Sequence, residues 1–215
     1  EDVMNVIENE TGQGKETGSN KLEGVIVQFG GQTSINLAER LVKNNVNILG
    51  TGIEGIDIAE DRERFRKMLH ELKLPQPENG TATNEKEALE AANKIGYPIV
   101  VRPSYVIAGR AMEIIYSDEE LKRYINEAVE VSERRPVLID KYLDNAIECE
   151  VDALTDEHDV FIPGIMEHIE FAGVHSGDAN ISLPTLKLNE TERKKIVEYT
   201  EIIAKTLKNI GCINI

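Results

Sequence analysis

GVIVQFGGQTSINLAERLVKNNVNILG, residues 24–50, decides the fold class. It opens with a short β-branched run and turns at Gly30 and Gly31. The helical pattern INLAERLVKNN follows, with Thr33 or Ser34 available as a cap, and the stretch closes on a second apolar run, NVNILG. Strand, glycine turn, helix and strand make a βαβ unit of a parallel sheet. Glycines at such a turn let backbone approach a ligand at the helix N-terminus, but a tight crossover needs them too. Alone, Gly30 and Gly31 read as structure.

Upstream, residues 10–23 (ETGQGKETGSNKLE) lack hydrophobic periodicity and read as an exposed loop. Gly12, Gly14 and Lys15 do not match GxxxxGK[ST], and neither strand nor helix flanks them, so no phosphate loop is inferred. Downstream the pattern changes at Asp57. In IAEDRERFRKMLHELKLPQP, Phe65, Met68, Leu69 and Leu72 recur at helical spacing until Pro75 and Pro77, so a new domain is expected from residue 57. Residues 84–95 form a second amphipathic helix, capped by Thr83 or Asn84 and ended by Gly96. YPIVVRPS and MEIIYS read as strands around the turn VIAGRA, and residues 118–131 as a helix. PVLIDKYL, IECEVDAL and VFIPGIMEHIE are further strands. Asn189 or Thr191 caps a last helix over residues 189–209, and GCINI begins another strand.

The 215-residue chain carries 24 basic against 39 acidic residues, no Trp and 5% aromatics. That balance offers little to a phosphate backbone, to stacked bases or to an anionic membrane. No apolar run approaches the roughly 20 residues of a spanning helix, and a cytoplasmic protein is expected. Cys149 and Cys212 lack metal-ligand spacing and read as two small buried side chains in a reducing compartment. An opening without Met and an ending inside an apolar run suggest a piece of a longer chain.

Four groups of residues could carry chemistry. Arg102 ends the apolar strand PIVV just before Pro103, placing a fixed charge where sheet becomes loop, which suits phosphate binding or a surface ion pair equally. Arg62, in EDRERF, reads more simply as part of a solvated helix start. Glu148, Glu150 and Asp152 alternate with apolar residues, so one strand face gathers three carboxylates that could hold a metal or ribose, although a polar face in water is commoner. EFAGVHSGD places Gly173, His175, Ser176, Gly177 and Asp178 in one loop, where backbone can approach a ligand, without the elbow a serine hydrolase needs. His168 reads as a strand histidine.

Taken together, VVRPSYVIAGRAM, LIDKYLDNAIECEVDAL and GIMEHIEFAGVHSGD resemble the ATP-grasp module of the carbamoyl phosphate synthetase large subunit, and EGVIVQFGGQT and AEDRERF extend the resemblance toward the N-terminus. RAM, HIE and GVHSGD resemble the second, carbamate-phosphorylating half. The implied fold is α/β and α+β: residues 1–56 form the C-terminal part of a Rossmann-like pre-ATP-grasp domain, and residues 57–215 an ATP-grasp domain truncated before its metal-ligand strand. By the same resemblance, Arg62 and Arg102 contact ATP phosphates under a loop containing Gly109. Lys141 and Leu143 flank adenine, with backbone groups there pairing the ring edge. Glu148 binds ribose, and Gly173, Val174, His175 and Ser176 line the site.

The resemblance further implies an ATP-dependent ligase that phosphorylates carbamate for pyrimidine and arginine synthesis. It implies Mg2+ or Mn2+ held by residues past Ile215, a glutaminase small subunit and the rest of the large subunit as partners, and an isolated segment that is inactive. Ala108 departs from the family's usual glycine. Another ATP-grasp ligase such as a biotin carboxylase, or a non-catalytic nucleotide-binding domain, are the rival readings.

Overall fold

The computed structural model describes residues 2–11, 22–103, 112–129, 137–172 and 178–215. The first half of the chain contains α1 (Asp2–Thr11), α2 (Gly31–Ile35), α3 (Ala38–Lys43), α4 (Ile53–Glu60), α5 (Arg62–Glu71), β1 (Asn79–Ala82), α6 (Glu85–Ile95) and β2 (Ile99–Pro103). There follow β3 (Glu113–Ile115), α7 (Asp118–Val129), β4 (Val137–Lys141), β5 (Ile147–Glu150), β6 (Asp152–Asp156), β7 (Val160–Phe161), β8 (Met166–Phe171), β9 (Ile181–Ser182), α8 (Glu190–Thr206) and β10 (Ile210–Asn214). They divide into two compact units: residues 1–74, 149–167 and 181–215, and residues 75–148 and 168–180.

The second unit is built on an antiparallel sheet of order β1-β4-β2-β3. Strand side chains alternate between faces. Ile99 and Val101 of β2, Val137 and Ile139 of β4 and Ile115 of β3 are buried in one cluster with Ala88, Ala92 and Ile95 of α6 and Leu121, Tyr124 and Ile125 of α7. The intervening Val100, Arg102 and Asp140 take the other face and are partly exposed. Helix α6 starts where expected: the Asn84 side chain accepts from Glu87 N–H, and the Glu87 carboxylate returns to the N–H and hydroxyl of Thr83. It stops at Gly96, whose φ of 78° suits glycine.

The first unit holds an antiparallel sheet of order β10-β6-β7. Three small cores serve it. Val27, Ala38, Leu41 and Val46 pack with Met4 and Ile7 of α1; Met68 and Leu74 pack with Ile203 and Leu207; Val151, Ala153 and Ile165 pack with Ile196 and Val197. Helix α8 begins at a complete capping box between Asn189 and Glu192. A third sheet has the order β5-β8-β9, and β5 and β8 each contain residues of both units.

Several expectations need correction. The βαβ strands over residues 24–29 and 45–50 reduce to a single parallel bridge, Val25 to Ile48. The helix between them starts at Gly31 with Gly30 as its N-cap and no side-chain cap, and it is interrupted at Asn36 and Leu37. Ser34 does not cap it. The Ser34 hydroxyl donates to Val27 and Gly31 carbonyls instead, and back-bonding of that kind bends a helix. A side-chain carbon on Gly30 would overlap Ser34, which gives that glycine a packing reason. Glu10 and Thr11 belong to α1 rather than to a loop; the rest of the expected loop through residue 21, with Gly12, Gly14 and Lys15, lies outside the described residues. The helix expected from residue 57 is two helices broken at Asp61, whose side chain caps α5 by accepting from Arg64 N–H. IECEVDAL breaks at Val151, which exchanges backbone hydrogen bonds with Ile215, and VFIPGIMEHIE divides around Pro163 and Gly164.

Replacing Ile139 by Ala should lower the unfolding free energy by about 2–5 kcal/mol, as measured in urea. Ile114→Ala, at a position 41% exposed, should change it by less than about 0.5 kcal/mol. Equal losses at the two would contradict a sheet packed on one face only.

Candidate functional site

The face of the four-stranded sheet turned away from α6 and α7 brings charge near the ends of β2 and β4. Arg102 Nε stands 3.7 Å from the Asp140 carboxylate, an ion-pair separation rather than a direct hydrogen bond. The Arg102 side chain is 44% exposed, so water screens the pair and exchange of Asp140 for a more highly charged anion costs little. The surface-pair and phosphate readings of Arg102 are thus compatible.

β4 ends at Lys141, whose ammonium donates to the carbonyls of Gly96 (2.8 Å) and Tyr97 (3.1 Å). A cation there satisfies and neutralises carbonyls at the C-terminus of α6. The head of Lys141 is therefore committed to the fold, so any role beside a base falls to its methylene stem. Tyr97 is fixed in turn: its hydroxyl donates to Asp118 at 2.7 Å, and burial, then this bond, push the phenol pKa up. The amide N–H groups of Lys141 and Tyr142 are bonded to Glu78 and Pro98 carbonyls. Leu143 differs, being 52% exposed with no backbone hydrogen bond to another described residue. An N–H and a C=O on an exposed apolar residue are what a planar heterocycle with a donor and acceptor edge can use.

Past the turn at Asp144 and Asn145, Glu148 is half-buried on β5, with the Nδ1 of His168 4.0 Å from its carboxylate. His168 is buried in β8, so it is a strand histidine beside an expected ribose ligand. The base of the following loop is clasped. Glu170 accepts from the N–H (2.8 Å) and side-chain amide (2.7 Å) of Asn180, and Ile169 N–H donates to the Asn180 carbonyl. The Asn180 side chain, then its N–H, hold the Glu170 carboxyl below the usual carboxylate range. Gly173, Val174, His175 and Ser176, which that loop carries, lie outside the described residues, as do Gly109 and Ala108. Arg62 is the exposed first residue of α5 and belongs to the other unit.

Within the first unit, Glu167 was not anticipated. Its carboxylate is buried, 2% exposed, and accepts from three successive N–H groups, those of Leu186 (2.9 Å), Lys187 (2.9 Å) and Leu188 (3.3 Å). Successive N–H groups form an anion cradle, here filled by the protein's own side chain at the entry to α8. No sequence signal announces it, because every donor is backbone. Two cavities of this unit, about 600 Å³ beside Ile165, Leu183 and Val197 and about 310 Å³ beside Thr51 and Asn209, contain none of the expected nucleotide residues.

Burial pushes the Glu167 carboxyl up, but the Lys187, Leu188 and Leu186 N–H bonds outweigh it and the net shift is downward. A carboxyl depressed in the folded state stabilises above its unfolded pKa, and the effect is lost as pH falls through the folded pKa. The stability difference between wild type and Glu167→Gln, measured by urea unfolding, should therefore narrow from about pH 7 to about pH 3. A difference independent of pH would contradict this assignment.

Comparison with known proteins adds to this geometry. Residues 1–58 match the carbamoyl phosphate synthase preATP-grasp domain, and residues 61–215 match the carbamoyl-phosphate synthase L chain, ATP binding domain. The carbamoyl phosphate synthase large chain of Archaeoglobus fulgidus is 56% identical over all of this chain, which covers 19% of that protein. The C-terminal section of the Methanocaldococcus jannaschii large chain is 53% identical over the whole chain, which covers 34% of it. The chain thus spans between a fifth and about a third of these relatives. Among solved structures, D-alanyl-alanine synthetase A from Vibrio cholerae superposes with a TM-score of 0.68 at 17% identity, over 93% of this chain and 64% of that one. A biotin carboxylase complex from Campylobacter jejuni gives 0.66 at 20% identity, over 84% of this chain and 42% of that one. Likeness at these identities shows the fold alone, a pre-ATP-grasp segment followed by an ATP-grasp arrangement, and the biotin carboxylase alternative gains nothing further from it. With both family matches and full-length identity above half, the chain belongs to the carbamoyl phosphate synthase large-chain family.

Proposed function

We propose that this chain is the ATP-handling part of the second half of a carbamoyl phosphate synthase large chain, which phosphorylates carbamate. In that reaction a carbamate oxygen attacks the γ-phosphorus of ATP, the bond from γ-phosphorus to the bridging oxygen breaks, and ADP leaves from carbamoyl phosphate. The observation that carries the reading is the combination on one unit of the partly exposed Arg102 on β2 and, just past the end of the adjacent β4, the exposed Leu143, whose backbone makes no hydrogen bond to another described residue.

In this proposal Leu143 pairs the adenine edge, the stem of Lys141 flanks the base, Glu148 takes the ribose hydroxyls, and Arg102 takes the phosphates with Arg62. The segment with Gly109 closes over the phosphates, and Gly173, Val174, His175 and Ser176 line the site, as the family resemblance implies. Residues 1–56 are pre-ATP-grasp and residues 57–215 ATP-grasp. A divalent cation, Mg2+ or Mn2+, supplies charge neutralisation at the phosphates when bound; no ligand for it is assigned to the described residues. The remainder of the large chain and a glutaminase small subunit are the proposed partners, in a cytoplasmic enzyme supplying pyrimidine and arginine synthesis. Among the described residues no helix is long and apolar enough to cross a membrane.

ATP should stabilise the large chain against thermal unfolding by RT ln(1 + [L]/Kd), about 2.7 kcal/mol at 100 Kd. Arg102→Ala and Glu148→Gln should shrink that shift while leaving the nucleotide-free melting temperature nearly unchanged. Full-sized shifts in both variants would place the nucleotide elsewhere; no shift in the wild type would favour a non-nucleotide domain.

A further inference from the structure

Thr51 lies in the segment that matches the preATP-grasp domain and is 4% exposed. Its hydroxyl oxygen receives Gln28 Nε2 at 3.0 Å, Asn209 Nδ2 at 2.9 Å and the N–H of Ile210 at 3.1 Å, and it donates to the Ile210 carbonyl at 3.3 Å. A hydroxyl has one proton and two lone pairs, so three donors compete for two places and the oxygen stays saturated if any one donor moves. Gly50 and Gly211 flank the hub with φ of 97° and 102°. Those φ values favour glycine, and a side-chain carbon at either position would stand 2.7 or 2.9 Å from the Gln28 carboxamide oxygen, so the end of the Gln28 side chain would have to shift.

The hub grips both backbone groups of Ile210, the first residue of β10. From that residue β10 pairs with β6 in one register, Ile210 opposite Asp156 through Asn214 opposite Asp152. A slip of one residue would turn every β10 side chain to the other face. At the far end Asn214 Nδ2 donates to Asp152 at 2.9 Å and to Glu150 at 3.4 Å. Glu150 follows the proposed ribose ligand Glu148 by two residues on β5.

We infer that Thr51 is a positioning residue: from the preATP-grasp segment it sets the register of β10, and through Asn214 it places the carboxylates of Glu150 and Asp152 next along the chain from the nucleotide ligand. This rests on the ATP reading above. It gives the preATP-grasp segment a task in nucleotide handling without any contact to nucleotide.

The test is steady-state kinetics of the large chain carrying this sequence, with ATP varied, for wild type, Thr51→Val, Thr51→Ser and Asn214→Leu, each assayed well below its own melting temperature. Thr51→Val should raise the KM for ATP about five- to tenfold with kcat changed less than about twofold, Asn214→Leu should do the same, and Thr51→Ser should restore wild-type values. A Thr51→Val enzyme that melts earlier yet keeps its KM and kcat per folded molecule would reduce Thr51 to a structural role and overturn the inference. So would a Thr51→Val enzyme unchanged in every respect, or a KM rise that Thr51→Ser fails to reverse. A wild-type chain that turns over no ATP would instead refute the underlying ATP reading, and the role with it.

Discussion

The first unit depends on the five-residue ladder between β6 and β10. The unit is assembled from three stretches of chain, residues 1–74, 149–167 and 181–215, and β6 and β10 join two of them directly. Closing a loop of this length costs entropy that grows only slowly with length, so a modest ladder backed by apolar burial can hold it. The burial comes from both sides of the chain break. Met68 and Leu74 pack with Ile203 and Leu207, and Val151 and Ala153 pack with Ile196 and Val197. The exchange of hydrogen bonds between Val151 and Ile215 extends the pairing past the break in IECEVDAL. Ile213 of β10 packs against both clusters, so loss of register here would disturb the two together.

The second unit solves a different problem with a different asymmetry. Its sheet buries one face under α6 and α7, and the Arg102–Asp140 ion pair lies on the other, so the proposed ligand chemistry and the apolar packing take opposite sides of the same strands. Alternation alone produces that separation: Ile99 and Val101 face the helices, and Arg102 does not. The engaged head of Lys141 shows how tightly the two roles are interleaved at a strand end. One side chain secures the C-terminus of α6 with its ammonium, while the proposed nucleotide site uses its stem and the nearby Leu143.

Much of this was legible in the sequence, for local reasons. The α6 and α8 caps and the strands β2, β3 and β4 follow from short-range patterns, and the structure places them where those patterns point; the turn expected at VIAGRA lies outside the described residues. What escaped was non-local. Ser34 looks like a cap but bonds backward, because Val27 offers a carbonyl that the sequence cannot show. β1, with the sequence NGTA, has no strand propensity and exists because β4 supplies its partners. Glu167, Thr51 and Asn180 acquire their roles from backbone or side chains at least ten residues away. Arg102 and Glu148 were singled out by strand-end position and by alternation, each with a plainer reading beside the ligand one; resemblance to a family gave them their proposed roles and added Lys141 and Leu143. The segments around Gly109 and residues 173–176 lie outside the described residues, so their part in the site rests on that resemblance.

The most direct measurement is a crystal structure of the large chain with a non-hydrolysable ATP analogue. The account predicts the adenine edge hydrogen-bonded to the backbone N–H and C=O of Leu143, the ribose on Glu148, and the phosphates drawing the Arg102 guanidinium away from Asp140. A nucleotide bound away from the open face of the β1-β4-β2-β3 sheet, with Arg102 still paired to Asp140, would contradict it.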